Sequence, residues 1–311
     1  MSKFDKIEEL QGLIKEDSTN YRARRQLAVL LLDCGFNEEA LQHLLYLSKM
    51  YTNDEGIFYN LGIVYEKLKN FQRAKDAYEK ALEIDPESID AIYNLGLVYT
   101  ELKEYQKAIM CFEMVIESDK EDSNSYFNLG LVYFKMENFL RAVEYFQKTI
   151  DLNDDDIYAH FYIGNIMKEF GDLEAAREKF KKVLSISPDY SWAYYNIAVI
   201  DYDEGNIQEA IYNLKQTIEL NPLDIEAYKN LIKILSSDNN NQQAYDYAQK
   251  AINNCGESGD LFYIMAGLSK KLKKTEEYKT YLNEAIRNFQ TLSVPVQKVK
   301  NELKNIGIKE S

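Results

Sequence analysis

The sequence repeats itself every 34 residues, and this period constrains the fold more than any other feature of the chain. Segments that begin at Glu55, Ile89 and Ser123 each carry the pattern Asn-Leu-Gly-x-Val-Tyr at the same place. Two further segments, 157–190 and 191–224, follow without an insertion. A period of this length is typical of repeat arrays, in which each unit buries its apolar face only by stacking on its neighbours.

Each repeat predicts two amphipathic helices. Counted from Glu55 as position 1, apolar or small residues recur at positions 4, 7, 8 and 11, and again at 20, 24 and 27, which is helical spacing. Position 8 is Ala28, Gly62, Gly96, Gly130, Gly164 and Ala198; position 20 is Ala40, Ala74, Ala108, Ala142, Ala176, Ala210 and Ala244; position 24 is Tyr78, Phe112, Phe146 and Phe180. A mid-helix glycine costs about 1 kcal/mol against alanine. We therefore expect close helix contact, with the small residue at position 8 facing the small residue at position 20.

A polar turn separates the two helices of each repeat. Gly35, Gly171 and Gly205 stand at position 15, where a left-handed helix end favours glycine. In several repeats the residue at position 16 has a side-chain oxygen that can cap the following helix. These predicted caps are Asn70, Asn138, Asp172 and Asn206.

These positions, with Pro86, Pro188 and Pro222 at position 32, resemble the tetratricopeptide repeat family. The resemblance implies an all-α fold, a right-handed superhelical solenoid of antiparallel helix pairs. It divides the chain into an N-terminal capping helix at 1–20, eight tandem repeats at 21–292 and a C-terminal capping helix at 293–311.

Composition and charge narrow the partners. The formal net charge of −14 disfavours phosphate backbones and anionic lipid surfaces, so we expect no nucleic acid and no membrane as partner. The N-terminus mixes charges with apolar residues, as an amphipathic helix does and a signal peptide does not. Cys34, Cys111 and Cys255 share no spacing motif, which indicates reduced thiols in a cytoplasmic protein.

The inventory of reactive side chains does not predict an enzyme. The two histidines are His43 and His160, and His160 holds the bulky position 4, where packing in the core is the simpler interpretation. The acidic run 151–156 lacks the glycine and glutamate of a calcium loop, because Asp156 and Tyr162 stand at those two places. We expect no catalytic residue, no metal and no cofactor.

In the tetratricopeptide family the first helix of each repeat lines a concave groove, so the resemblance implies a binding face. Position 6 is mostly asparagine, position 5 aromatic and position 9 mostly aliphatic, and exposed apolar surface usually marks a binding site. The predicted groove residues are Tyr59, Asn60, Ile63, Tyr93, Asn94, Leu97, Phe127, Asn128, Leu131, Phe134, Tyr158, Phe161, Asn165, Trp192, Tyr195, Asn196, Val199, Tyr202 and Asn230. The same residues could instead serve only to pack neighbouring helices.

The resemblance favours a non-catalytic scaffold or adaptor that binds a protein or peptide segment in this groove. The asparagine row would bind its backbone, and the aromatic and aliphatic residues would hold its side chains. Two alternatives are a self-assembling solenoid, which would form a homo-oligomer, and a carrier of a small apolar ligand. The family's carboxylate clamp for chaperone tails is disfavoured, because no three successive repeats supply its lysine, asparagine and arginine set.

Overall fold

The computed structural model describes residues 2–309, without the side chains of 307–309. The outermost ends of the two predicted capping segments, residue 1 and residues 310–311, lie outside the described residues. The helices are α1 Lys3–Glu16, α2 Tyr21–Asp33, α3 Asn37–Met50, α4 Glu55–Lys67, α5 Phe71–Ile84, α6 Ile89–Glu101, α7 Tyr105–Ser118, α8 Ser123–Lys135, α9 Phe139–Leu152, α10 Ile157–Glu169, α11 Leu173–Ile186, α12 Ser191–Asp203, α13 Ile207–Leu220, α14 Ile225–Ser237, α15 Asn241–Cys255, α16 Gly259–Lys271, α17 Thr275–Arg287 and α18 Val296–Lys309. A short 3-10 helix, Phe289–Thr291, precedes α18.

The all-α prediction is confirmed. The closest packing joins the two helices of a pair, as in α2 with α3 and α16 with α17. From α1 to α9, and again from α11 to α18, each helix also packs on the next one along the chain. Residues 2–309 contain no β-strand. None of the helices described is both long and apolar enough to cross a membrane.

The chain forms two compact units, residues 1–159 and residues 160–311, which we call unit 1 and unit 2. The core of unit 1 includes Leu27, Leu44 and Ile57, all fully buried. The core of unit 2 includes Leu231 and Met265, also fully buried. The finer division into eight repeats and two capping helices stays a prediction.

The turn at position 15 has the predicted left-handed backbone. Gly171 and Gly205 have φ of +81° and +83°. The same conformation recurs where the repeat has no glycine, since Lys103 has φ +61° and Glu137 φ +59°. The residue that follows then donates its N–H back to the end of the first helix, as Glu104 does to the Tyr99 carbonyl at 2.8 Å. This helix-terminating bond explains why the turn is kept.

Three of the four predicted helix caps are confirmed. The Asp172 side chain accepts from the Ala175 N–H at 3.1 Å, and Asn70 and Asn138 accept in the same way at longer distances. The cap predicted at Asn206 is wrong. Its side-chain oxygen accepts no N–H of α13, and its amide donates to the Glu204 carboxylate at 3.2 Å, a charge-assisted hydrogen bond that holds the side chain in another orientation.

The contact predicted for the glycine at position 8 is also wrong, because its nearest neighbour is a different residue. A Cβ on Gly96 would lie 2.9 Å from Cε1 of Phe112, and one on Gly130 would lie 2.6 Å from the ring of Phe146. The aromatic at position 24, which is fully buried, is therefore the nearest neighbour of the small residue, nearer than the alanine at position 20. The ring fills the space that a side chain at position 8 would occupy.

Each end of the array packs against its neighbouring pair. In unit 1, α1 begins with a capping box between Ser2 and Asp5, and it buries Ile7 and Leu10 in the adjoining core. In unit 2, Val299 of α18 is fully buried beside Phe262, Tyr278 and Leu282.

Candidate functional site

The first helices of successive pairs are joined by hydrogen bonds between positions 5 and 6. In unit 1 the Asn94 side-chain amide donates to the Tyr59 hydroxyl at 3.1 Å, and Asn128 donates to Tyr93 at 2.8 Å. In unit 2 Asn230 donates to Tyr195 at 3.0 Å. We call these contacts the Tyr–Asn pairs. They show that part of the predicted asparagine row ties one repeat to the next.

The Tyr–Asn pairs leave polar atoms available on the face formed by the first helices of the repeats. Burial raises the pKa of Tyr59, Tyr93 and Tyr195, so their hydroxyls stay neutral and keep a proton to donate. Within the described part of the chain, no donor reaches the side-chain carbonyl oxygens of Asn94 and Asn128. Each pair can therefore offer one donor and one acceptor to a ligand.

The aromatic residues at position 5 connect this face to the core. Tyr93 lies 5.8 Å from the ring of Phe112, and Phe127 lies 5.5 Å from the ring of Phe146, both centroid to centroid. In unit 2, Phe161 stands 5.7 Å from Phe180. The position 5 rings are half-buried, so one part of each ring packs on the core and the other part is accessible to solvent.

The remaining predicted residues differ in exposure. The aliphatic residues at position 9 are half-buried, as are Asn60, Phe134 and Asn165; the position 9 residues are Ile63, Leu97, Leu131 and Val199. In contrast, Tyr158 is 53% exposed, Trp192 52% and Tyr202 38%. The binding role of the predicted set stays a prediction, but its largest side chains reach the surface.

Asn196 departs from the exposed row that the sequence predicts, because it is only 4% exposed. The preceding repeat has Phe161 at position 5, which has no hydroxyl to accept from it. Asn196 instead donates to the carbonyl of Trp192 at 2.8 Å. Its side-chain oxygen then accepts from Nζ of Lys168 at 2.6 Å. Where the Tyr–Asn pair is absent, the asparagine at position 6 therefore contacts a lysine in place of a tyrosine.

The redirected asparagine belongs to a pocket of about 430 Å³ in unit 2. The pocket is lined by Phe161, Asn165, Lys168, Tyr190, Trp192, Tyr195 and Asn196. Its aromatic side chains pack edge to face in two pairs. The ring centres of Phe161 and Tyr190 are 5.4 Å apart, and those of Trp192 and Tyr195 are 6.3 Å apart. We call this space the aromatic pocket.

Lys168 is the one cation of the aromatic pocket, and the sequence analysis missed it. Burial lowers the pKa of its ammonium, against the weaker opposing effect of the Glu169 and Asp203 carboxylates. Among the described residues no carboxylate comes within ion-pair distance of Lys168, and its hydrogen bond goes to the neutral Asn196. The sequence could have revealed Lys168 through position 12, which is lysine in this repeat but Phe134 and Tyr202 in the repeats on either side.

A second pocket of about 310 Å³ lies on the other side of α12, between α12 and α14. Its lining is divided between apolar and polar side chains. They comprise Tyr195, Ala198, Val199, Tyr202, Asp203, Leu214, Asn230, Lys233 and Ile234. We call it the aliphatic pocket. Tyr195 lines both pockets and therefore separates them.

The side chains with reactive chemistry are buried or dispersed. His160 is 4% exposed, which confirms its place in the core. Burial raises the pKa of the Cys111 thiol to about 11, so that thiol is protonated and unreactive at neutral pH. Within residues 2–309, His, Cys, Asp and Glu side chains do not form a group of three or more suited to a metal ion.

Sequence profiles of the tetratricopeptide repeat match residues 57–88, 88–155 and 127–191. No curated protein matches the chain in sequence. The many solved structures that are similar to this chain include three with the following values. They are MamA residues 41 to the end from Desulfovibrio magneticus RS-1, 29% identical over 55% of this chain and 97% of that one, TM-score 0.52; YrrB, a TPR protein with an unusual peptide-binding site, 27% identical over 60% and 96%, TM-score 0.48; and the APC/C hetero-tetramer Cut9-Hcn1, 15% identical over 86% and 52%, TM-score 0.55.

The matched profiles and the helix pairs agree on one family. The profiles cover adjoining segments of the same 34-residue period that the sequence displays. The paired helices extend this architecture along the rest of the described chain. Such proteins are generally non-catalytic scaffolds, and the fold supports a role in protein interaction. Residues 57–191 of the chain are tetratricopeptide repeats, and paired helices continue on both sides of them.

Proposed function

We propose that this protein is a scaffold that binds a segment of another protein on the face formed by the first helices of its repeats. The observation that carries the proposal is the surface around α12. There Trp192 is 52% exposed beside one pocket, and Tyr195 separates that pocket from a second. A large aromatic side chain held rigid next to concave apolar surface is typical of protein-binding hot spots.

The polar atoms of the same face support an extended peptide as the ligand. Each Tyr–Asn pair offers a hydroxyl donor and a carbonyl acceptor, and in unit 1 two such pairs follow in successive repeats. The backbone of an extended segment presents alternating N–H and C=O groups that need such partners. The half-buried residues at position 9 would lie beneath the segment and contribute apolar contact.

Affinity capture with Trp192→Ala tests this proposal. Truncation of an aromatic anchor commonly costs about 2 kcal/mol of binding free energy or more, so we expect the variant to lose most of the bound partner. Leu131→Asp tests unit 1 in the same way, because it places a charge among half-buried apolar residues. Capture is scored by mass spectrometry of the proteins retained from the source cells, at matched helicity and melting temperature.

The matched control is Tyr212→Ala. Tyr212 is 59% exposed on α13, the second helix of its repeat, and it lines neither pocket. It should retain partners as the parent does. Equal retention by the parent and by Trp192→Ala would exclude the unit 2 face as the binding surface. A dimer that survives dilution in sedimentation and is broken by Trp192→Ala would instead favour self-assembly.

A further inference from the structure

The aromatic pocket contains hydrogen-bond donors that no group in the described chain satisfies. Nζ of Lys168 has one acceptor, the Asn196 side chain, and so two of its N–H bonds remain for a ligand. The side-chain amide of Asn165 and the indole N–H of Trp192 line the same pocket without a partner among the described residues. A half-buried ammonium beside two neutral donors is suited to an anion that accepts several hydrogen bonds at once.

Asn196 fixes the lysine in this position. Because its amide donates to the Trp192 carbonyl, its oxygen must point to Lys168. Asn196 is almost fully buried, so this orientation is set by the fold and needs no ligand. The pocket is therefore organised before binding, which lowers the entropic cost of binding.

The charge of the whole chain does not oppose an anionic ligand at this place. Unit 1 contains 30 acidic and 18 basic residues, whereas unit 2 contains 21 acidic and 19 basic residues. Unit 2 is thus close to neutral, and at about 8 Å screening length the acidic residues elsewhere have little effect. Glu169 and Asp203 are the carboxylates that act on Lys168 through space, and neither is paired with it.

The aliphatic pocket has a different chemistry. Ala198, Val199, Leu214 and Ile234 form its floor and walls, and Tyr202 covers one side. Lys233 stands with its ammonium 5.6 Å from the Tyr202 ring centre, a cation–π contact. Lys233, Asp203 and Asn230 also line the pocket, so its apolar part is the part formed by the four aliphatic residues. An aliphatic side chain would fill such a space and lose its contact with water.

The two pockets lie on opposite sides of α12, so their centres are separated by about one helix-to-helix distance, roughly 8 to 10 Å. An extended chain advances about 3.3 Å per residue. Side chains in the two pockets would therefore stand about three residues apart. Between them, the Tyr195 hydroxyl and the Asn230 carbonyl oxygen can bind the intervening backbone.

We propose that unit 2 binds an extended segment of a partner protein in which an Asp or Glu side chain and a Leu, Ile or Val side chain are about three residues apart. The carboxylate binds Lys168 in the aromatic pocket, and the aliphatic side chain enters the aliphatic pocket. This inference rests on the proposed function and adds the chemistry of the partner. Its lysine is at position 12, whereas positions 5 and 2 of these repeats, where a carboxylate clamp would need lysine, are Phe161 and Trp192.

The test is selection of peptides from a random display library on the full chain, followed by synthesis with both ends blocked. Trp192 is the only tryptophan, so its fluorescence reports occupancy of the aromatic pocket directly. We expect the selected peptides to share an acidic and an aliphatic residue about three positions apart. Replacing the acidic residue by its amide should weaken binding about tenfold or more.

Protein variants identify the partner of that carboxylate. Lys168→Gln should weaken the acidic peptides about tenfold, and combining it with the amide peptide should add no further loss. Lys181→Gln, on the exposed side of α11, removes the same charge and should change affinity less than about twofold.

Three results would overturn the inference while leaving the proposed function intact. They are selected peptides without a shared acidic residue, equal affinity for the parent and Lys168→Gln, and binding only when the peptide C-terminus is left unblocked. If no peptide binds the parent, or if selected peptides bind Trp192→Ala as tightly as the parent by isothermal titration calorimetry, which does not need the tryptophan, the inference and the proposed function both fail.

Discussion

At the scale of single residues, the glycine at position 8 and the aromatic at position 24 behave as one structural unit. Gly62, Gly96, Gly130 and Gly164 all lie against the ring at position 24 of their own repeat. The four rings are fully buried. A side chain at position 8 would have to displace a ring that already fills the core at close to crystal packing density. The glycine is therefore required by packing and not by backbone conformation.

Gly96→Leu should lower the free energy of unfolding by about 3 kcal/mol, because a larger side chain overpacks the contact with Phe112. The loss is measured as a shift of the urea midpoint followed by far-UV circular dichroism. Gly267→Leu is the matched control, since Gly267 is an exposed helix residue with open space around its Cα. The control should be neutral or slightly stabilising. Equal melting of Gly96→Leu and the parent would place position 8 elsewhere in the repeat.

Glu66 should make stability depend on pH. Burial raises the pKa of its carboxyl, and the nearby Glu101 adds to the effect. A folded-state pKa above the unfolded value means that the contribution to stability is present at low pH and is lost as pH rises through the raised pKa. Glu66→Gln keeps an acceptor for the Tyr78 hydroxyl, which lies 3.2 Å from the carboxylate. We expect the variant to be more stable than the parent at pH 7, by less than about 1 kcal/mol because the group is partly exposed.

The gain should shrink as pH falls towards 4, where the parent carboxyl is protonated as well. Thermal melting at pH 4 and pH 7 checks this prediction. Glu113→Gln, exposed on α7, removes the same charge without relieving a buried carboxylate and controls for net charge. A gain in the Glu66 variant that is the same at both pH values would contradict the assigned cause.

At the scale of helices, the ends of the pairs are set by the turn at position 15 and by the capping side chains. The turn keeps its left-handed backbone even at Lys69, Lys103 and Glu137, where the residue itself disfavours it. Hydrogen bonds at the helix end and packing of the pair outweigh that cost. The period of the repeat, and not the residue at position 15, therefore decides where each first helix ends.

The last helix, α18, should depend on one buried side chain for its attachment. Val299 is fully buried, whereas the adjacent Lys300 is exposed. Val299→Asp places an unpaired charge against Phe262 and Leu282, and we expect it to cost about 3 kcal/mol and to release α18. Limited proteolysis should then cut the chain between α17 and α18. Lys300→Asp should leave that linker as resistant as in the parent, and cleavage at equal rates in both variants would contradict the prediction.

At the scale of the whole molecule, each of the two units contains helices that pack on their neighbours along the chain, as in other repeat proteins. Stability should then be local, with each unit responding mainly to changes within itself. The single tryptophan lies in unit 2, so its fluorescence follows unit 2, while circular dichroism follows all helices.

We therefore expect Gly96→Leu, which lies in unit 1, to shift the urea midpoint seen by circular dichroism by more than that seen by Trp192 fluorescence. In the parent the two midpoints should lie closer together. The measurement needs only the two signals on one sample. Coincident midpoints that shift by the same amount in the variant would mean that the chain unfolds as one cooperative body.

The sequence by itself determined the helix pairs, the turns and the buried faces. These depend on local periodicity and capping, and the 34-residue repeat presents the same pattern several times along the chain. It also indicated the face that we propose for binding, because the register decides which positions point away from the core. It could not determine what the asparagines at position 6 contact, because that depends on the residue at position 5 one repeat earlier.

Only the tertiary structure decided the details of the site. Tyr59, Tyr93 and Tyr195 accept from an asparagine of the following repeat, whereas Phe161 cannot, so Asn196 is buried and holds Lys168. The pocket around that lysine arises from the packing of α10 against α12, and no single repeat contains it. Contacts inside a repeat follow from its own pattern, but contacts between repeats depend on pairs of residues about 30 positions apart, and packing alone brings these together.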